Sequence, residues 1–223
     1  MKLIHEFLQP NESIKLKLKI LIELIYDERA IDGWAKKRKR ENVVDKELSH
    51  QRYEQYKELL PKKFDKYYRV MTRIMKDNLN STIKHVVVYT IAMKNRKPEV
   101  NVGTNFGVRN NKTEIGLGIE DPHYALVYLF HELFHTYFAP PRNWNKHQYE
   151  LNHMVLEYFT DFKLFHAFQT KMNIYNDDNK MQLFRILQKE YKESGLNALK
   201  FRDQTITNYK NYIEYIEKSK RWR

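Results

Sequence analysis

No cysteine occurs among the 223 residues. That excludes disulfides and thiolate metal sites, so any transition-metal site must be built from histidine and carboxylate. Glycine and proline are scarce, at 6 each, which favours long helices over a turn-rich all-β chain. No apolar run approaches the roughly 20 residues that a membrane-spanning helix needs. The opening MKLIHEFLQPNESIK lacks the uninterrupted apolar stretch of a signal peptide. The expectation from these absences is a cytoplasmic chain with no membrane partner.

What is present allows a substantial core: hydrophobic residues make up 42% and aromatics 14%. The formal charge is +12. Such an excess attracts polyanions at long range without setting specificity. Lysine is spread through every segment rather than gathered in one patch. The run KKRKR at 36–40 reads as a solvated basic cluster on a charged connection, with nucleic acid as a secondary expectation.

Along the chain, Ser13 can cap a helix whose apolar residues Ile14, Leu18, Leu21, Ile22 and Ile25 recur at helical spacing, although IKLKLKI also alternates like a strand. A helix is expected from Asp45 to Leu60, and Pro61 should begin another, because proline suits a first turn and damages an interior. Tyr53, Tyr56, Leu60, Phe64, Tyr67, Met71 and Ile74 form a stripe for core packing. From residue 84 the pattern turns to strands: KHVVVYTIAM, PEVNVGTNFGV and TEIGLGI predict a small, mostly antiparallel sheet of about three strands. Asp121 and Pro122 then supply an N-cap and first residue for a helix ending before Pro140 and Pro141. Further helices are expected at about 148–170, 178–194 and 203–219. The class is α+β. One domain is expected, with a helical part over 1–80, a core over 81–170 and helices over 171–223.

The helix beginning at Pro122 poses the functional question. It is apolar nearly all round, which marks an interior helix, yet its middle reads HELFH (131–135). Burying two imidazoles and a carboxylate without partners would cost several kcal/mol. His131 and His135 are four apart and project from one face, which suits two nitrogen ligands of one tetrahedral ion. Glu132 is rotated to the flank, from where a carboxylate can take a proton from a metal-bound water. A third ligand must come from elsewhere. The next helix, HQYELNHMVLEYFTDFKLFHAF, carries Glu157 and Asp161 four apart, and its face also passes His153.

These motifs, HELFH followed by an acid and a second acid four residues later, resemble the gluzincins, the thermolysin-like zinc metallopeptidases. The resemblance covers roughly residues 114–165 and implies a zincin-like fold with one Zn2+ per chain. It implies Glu157 as the third ligand and Asp161 as the acid that accepts a hydrogen bond from His131. Glu132 would be the general base of peptide-bond hydrolysis, with a peptide or protein as substrate. In TEIGLGI, Gly116 and Gly118 leave one strand face bare, so that an extended peptide could pair with an edge strand there. The resemblance implies the same use of an edge strand.

Two other residues compete for the third position. His147 follows His135 by twelve, similar to the Spartan/SprT-type proteases that act on DNA-crosslinked proteins, but the glycine those have after the third histidine is Gln148 here. His153 is the other. His147, His153 and Tyr149 are also in range to donate to an oxyanion. A metal- or nucleic-acid-binding protein without activity is the remaining alternative, and the intact Glu132 speaks against it.

Overall fold

The computed structural model describes residues 11–94, 103–168 and 178–218. They form an α+β chain that divides into two compact units, one of residues 1–64 and 84–125, the other of 65–83 and 126–223.

The first unit holds a five-stranded mixed sheet in the order β1-β2-β4-β7-β6 and a two-stranded ladder of β3 with β5. The strands are β1 (Glu12–Lys17), β2 (Leu21–Tyr26), β3 (Val44–Asp45), β4 (His85–Thr90), β5 (Ala92–Met93), β6 (Gly103–Arg109) and β7 (Lys112–Leu117). The helix expected at Ser13 is a β-hairpin instead. Ser13, Lys15 and Lys17 are exposed while the residues between them are half-buried, the period of two that a strand requires. The sheet is larger than expected and not mostly antiparallel, since β4 runs parallel to both β2 and β7. Val86, Val87 and Val88 in β4 are all buried, as in a strand covered on both faces. Asn110 and Asn111, with φ of 48° and 60°, close the β6–β7 hairpin through the positive-φ pair that suits strand twist.

Helix α1 (Glu28–Arg38) replaces the expected charged connection. Asp27 caps it through Arg29 N and Ala30 N, and Lys36, Lys37 and Arg38 occupy its last turn, where cations offset the helix dipole. KKRKR is thus mostly helix terminus rather than loop. Helix α2 (Lys46–Met75) runs unbroken through Pro61, so the two expected helices are one. A mid-helix proline costs about 3 kcal/mol. Here Tyr53, Tyr56, Leu60, Phe64, Tyr67, Met71 and Met75 are buried in phase on both sides of it, and their burial outweighs that cost.

In the first unit, Tyr56 Oη donates to Ile119 O at 2.6 Å, and Arg52 pairs with Glu120 at 3.1 Å. These contacts fix the segment that launches helix α3 (Pro122–Tyr137). Asp121 accepts from His123 N and Tyr124 N, each at 2.8 Å, as its N-cap role predicts.

The second unit is helical. It contains the end of α2, a 3-10 turn (Leu79–Ser81), most of α3, and α4 (Lys146–Glu157). A π-helical stretch (Tyr158–Leu164) carries α4 on into α5 (Phe165–Phe168). Helices α6 (Asp178–Ser194), α7 (Ala198–Thr207) and α8 (Ile213–Lys218) follow. Residues 169–170, expected to end the long helix, lie outside the described residues. Phe159 meets Phe134, Phe138, Tyr191 and Phe201 through ring contacts. Asp77 accepts from Tyr137 Oη at 2.5 Å and Asn197 Nδ2 at 3.3 Å, which ties the end of α3 to the start of α7. No helix among the described residues is long and apolar enough to cross a membrane.

Candidate metal centre

Every residue of the site belongs to the second unit. Helix α3 brings His131 and His135 to one face, as their spacing requires. Helix α4 brings His153, and its start is set by a capping box in which Asn145 accepts from Gln148 N and donates its own N–H to the Gln148 side chain, both at 3.0 Å. The residue that departs from the Spartan/SprT pattern is therefore the reciprocal half of a helix cap.

One ligand atom from each of His131, His135 and His153 lies within 4.8 Å of the other two. The three rings form a near-equilateral triangle, with centroids 5.1, 5.3 and 5.1 Å apart. His131 is buried, and the side chains of His135 and His153 are 33% and 15% exposed. The triangle is thus open on the His135 side.

His131 Nδ1 lies 2.9 Å from Asp161 Oδ1, the contact that the resemblance implied, and Thr160 Oγ1 donates to the same oxygen at 3.0 Å. Such an acid fixes the ring and leaves Nε2 as its metal-facing atom. Burial alone would lower the His131 pKa, but the Asp161 carboxylate overrides it and lifts the group to about 9, with Glu132 and Glu157 adding to the rise. Glu132 is buried at 4% exposure, with Oε2 at 3.9 Å from His135 Nε2, close enough to serve the same bound species.

The resemblance implies Glu157 as the third ligand. The mutually close set is three histidines and excludes it. Its Oε2 is 2.8 Å from Lys180 Nζ, and its Oε1 is 3.4 Å from His153 Nδ1. Lys180 is only 4% exposed. The helix α6 core positions are Lys180, Leu183, Phe184, Leu187 and Tyr191, so a lysine in the apolar phase was the sequence signal for this pair.

The other expected residues are not gathered here. His147 faces Glu217 at 3.6 Å and is not in the mutually close set. Tyr149 is exposed and donates to Pro141 O at 3.1 Å. Gly116 and Gly118 lie in the first unit, and the edge-strand reading fails: β7 is bonded on one side to β4 and on the other to β6. A Cβ at Gly116 would sit 3.0 Å from the Phe106 ring, and one at Gly118 would fall 1.8 Å from Ile91 O. These glycines permit close packing.

A second cluster, Glu12, His50 and Glu54 in the first unit, also has one ligand atom of each within 4.8 Å of the others. Its side chains are about 40% exposed or more, His50 pairs with Glu12 at 2.5 Å, and Glu54 pairs with Lys57 at 3.0 Å. Ordinary surface ion pairs account for it.

Comparison with family models, curated proteins and solved structures returns no match for this chain.

Proposed function

We propose that the protein is a zinc-dependent peptidase, with one Zn2+ held by His131, His135 and His153 and with Glu132 as the general base. The observation that supports this reading is the half-buried triangle of imidazoles, with a buried carboxylate on its flank and an orienting acid behind it. Three protein nitrogens and one open position make a catalytic rather than a structural zinc set. No cysteine is needed for it.

Zinc in this position would polarise a substrate carbonyl and lower the pKa of a bound water to near neutrality. The chain's own residues do the rest. Glu132 accepts the proton from the attacking water and returns it to the departing amine. Asp161 keeps His131 in one tautomer. The apolar residues of α3 and α4 behind the triangle lower the local dielectric and strengthen each of these charge interactions. The zincin-like architecture and the gluzincin resemblance belong to this proposal, with a histidine in place of the glutamate at the third position.

The test is metal content followed by hydrolysis. Purified protein should carry or take up about one Zn2+ per chain. The Glu132→Gln variant should keep the metal while peptide cleavage falls by about 10² to 10⁴-fold. Equal cleavage by wild type and Glu132→Gln would sink the proposal.

A further inference from the structure

We propose that Glu157 and Lys180 are positioning residues for the third ligand. Glu157 orients His153 as Asp161 orients His131, and Lys180 locks Glu157 in that role. This rests on the zinc-peptidase reading.

The geometry is a repeated device. Asp161 Oδ1 stands 2.9 Å from His131 Nδ1, and Glu157 Oε1 stands 3.4 Å from His153 Nδ1. The two acids are four residues apart on one continuous helix, at the point where α4 passes into its π-helical stretch. Widened turns of this kind recur at functional sites because they re-aim side chains within a packed helix. Each acid takes the Nδ1 side of a different histidine, which leaves Nε2 of both rings for the ion.

Lys180 explains why Glu157 orients and does not ligate. Its ammonium is 2.8 Å from Glu157 Oε2, and the two side chains are 5% and 3% exposed. Moving the carboxylate onto the metal would strip a buried lysine of this partner. Charge agrees with the assignment. A divalent ion together with Lys180 carries three positive charges, which balance Glu132, Glu157 and Asp161 when the three histidines are neutral ligands. The lysine occupies a core position of α6, in phase with Leu183, Phe184, Leu187 and Tyr191.

The deciding measurement is X-ray absorption fine structure on the zinc-loaded wild-type protein, which counts imidazole ligands without relying on any variant to fold. Three imidazoles per zinc are expected. Two imidazoles and a protein carboxylate overturn the assignment alone. Wild-type chain that takes up neither Zn2+ nor Co2+ overturns the peptidase reading and the assignment with it. Variants then read the roles. With Co2+ as probe, Glu157→Gln should retain one ion per chain and the wild-type absorption bands, with affinity about 10- to 100-fold weaker. His153→Ala should lose stoichiometric binding. The reverse pattern, uptake lost in Glu157→Gln and kept in His153→Ala, would make Glu157 the ligand.

Discussion

Among the described residues, two clusters bring three potential metal ligands equally close together, and they differ in almost everything else. Glu12, His50 and Glu54 sit on a half-exposed surface, where His50 pairs with Glu12, Lys57 pairs with Glu54, and the His50 ring lies against the rings of Tyr26 and Tyr53. His131, His135 and His153 sit against an apolar helix pair, with Glu132, Glu157 and Asp161 at 2–4% exposure. On the surface, proximity costs nothing and implies nothing. In the interior, each charge must be compensated, as Lys180 compensates Glu157 and His131 compensates Asp161. Burial, not distance, separates the two.

The largest effect should come from breaking one charge in each cluster. Lys180→Met leaves Glu157 buried without its cation, and breaking such pairs costs about 3–5 kcal/mol. Urea unfolding of the metal-free protein should show that loss. Lys57→Ala, which removes the exposed partner of Glu54, should leave the midpoint unchanged. Equal losses in the two variants would erase the distinction.

Next comes zinc itself. Free Zn2+ at a thousandfold excess over its dissociation constant stabilises by about 4 kcal/mol, which for a chain of this size raises Tm by roughly 8–16 °C. His131→Ala should abolish that rise, and His50→Ala should preserve it. A rise lost in His50→Ala would move the metal to the surface cluster.

Protonation gives a third contrast. His131 has a folded-state pKa raised to about 9 from 6.5 by Asp161, which overcomes burial. The stabilisation this supplies in the metal-free protein is fully present below pH 6.5 and is lost as pH rises through 9, an effect on the order of 3 kcal/mol. Asp161→Asn should flatten that part of the stability–pH curve. With zinc bound, the ion replaces the proton, and the slope between pH 6.5 and 9 should largely vanish.

Much of this was legible in the residues. The start of α3 at Asp121-Pro122, the placement of His131, Glu132 and His135, and α6 over 178–194 follow from local chemistry: a cap, a period, a breaker. The contact of Asp161 with His131 came from the family resemblance. What escaped is non-local or degenerate. IKLKLKI fits two periods at once, and only a partner strand at Leu21–Tyr26 decides between them. The parallel pairing of β4 joins segments far apart in sequence, which no local pattern encodes. Pro61 followed its intrinsic preference in the reading, whereas packing on both sides decides the fold. In the proposed site the choice of third ligand turns on Lys180, a residue that looks like any other lysine until its helix phase is compared with Leu183 and Leu187. Glu157 and His153 are one turn apart on the same face, so spacing alone does not separate a ligand from an orienting acid, and the side chain opposite them must be seen.

The smallest effect should come from the scaffold of α4. Asn145→Ala removes the side-chain half of the capping box that starts the helix, and such losses cost about 1 kcal/mol. His153 lies about two turns further on, where α4 is already held by buried Leu151, Met154 and Val155, and fraying at a helix end is confined to the first turn. Thermal unfolding should therefore shift by roughly 2–4 °C, while zinc affinity changes by less than about threefold, since the ligand is held by packing and by Glu157 rather than by the cap. A large loss of affinity in Asn145→Ala, with His153→Ala no worse, would mean that the helix start, and not the buried carboxylates, sets the geometry of the triangle.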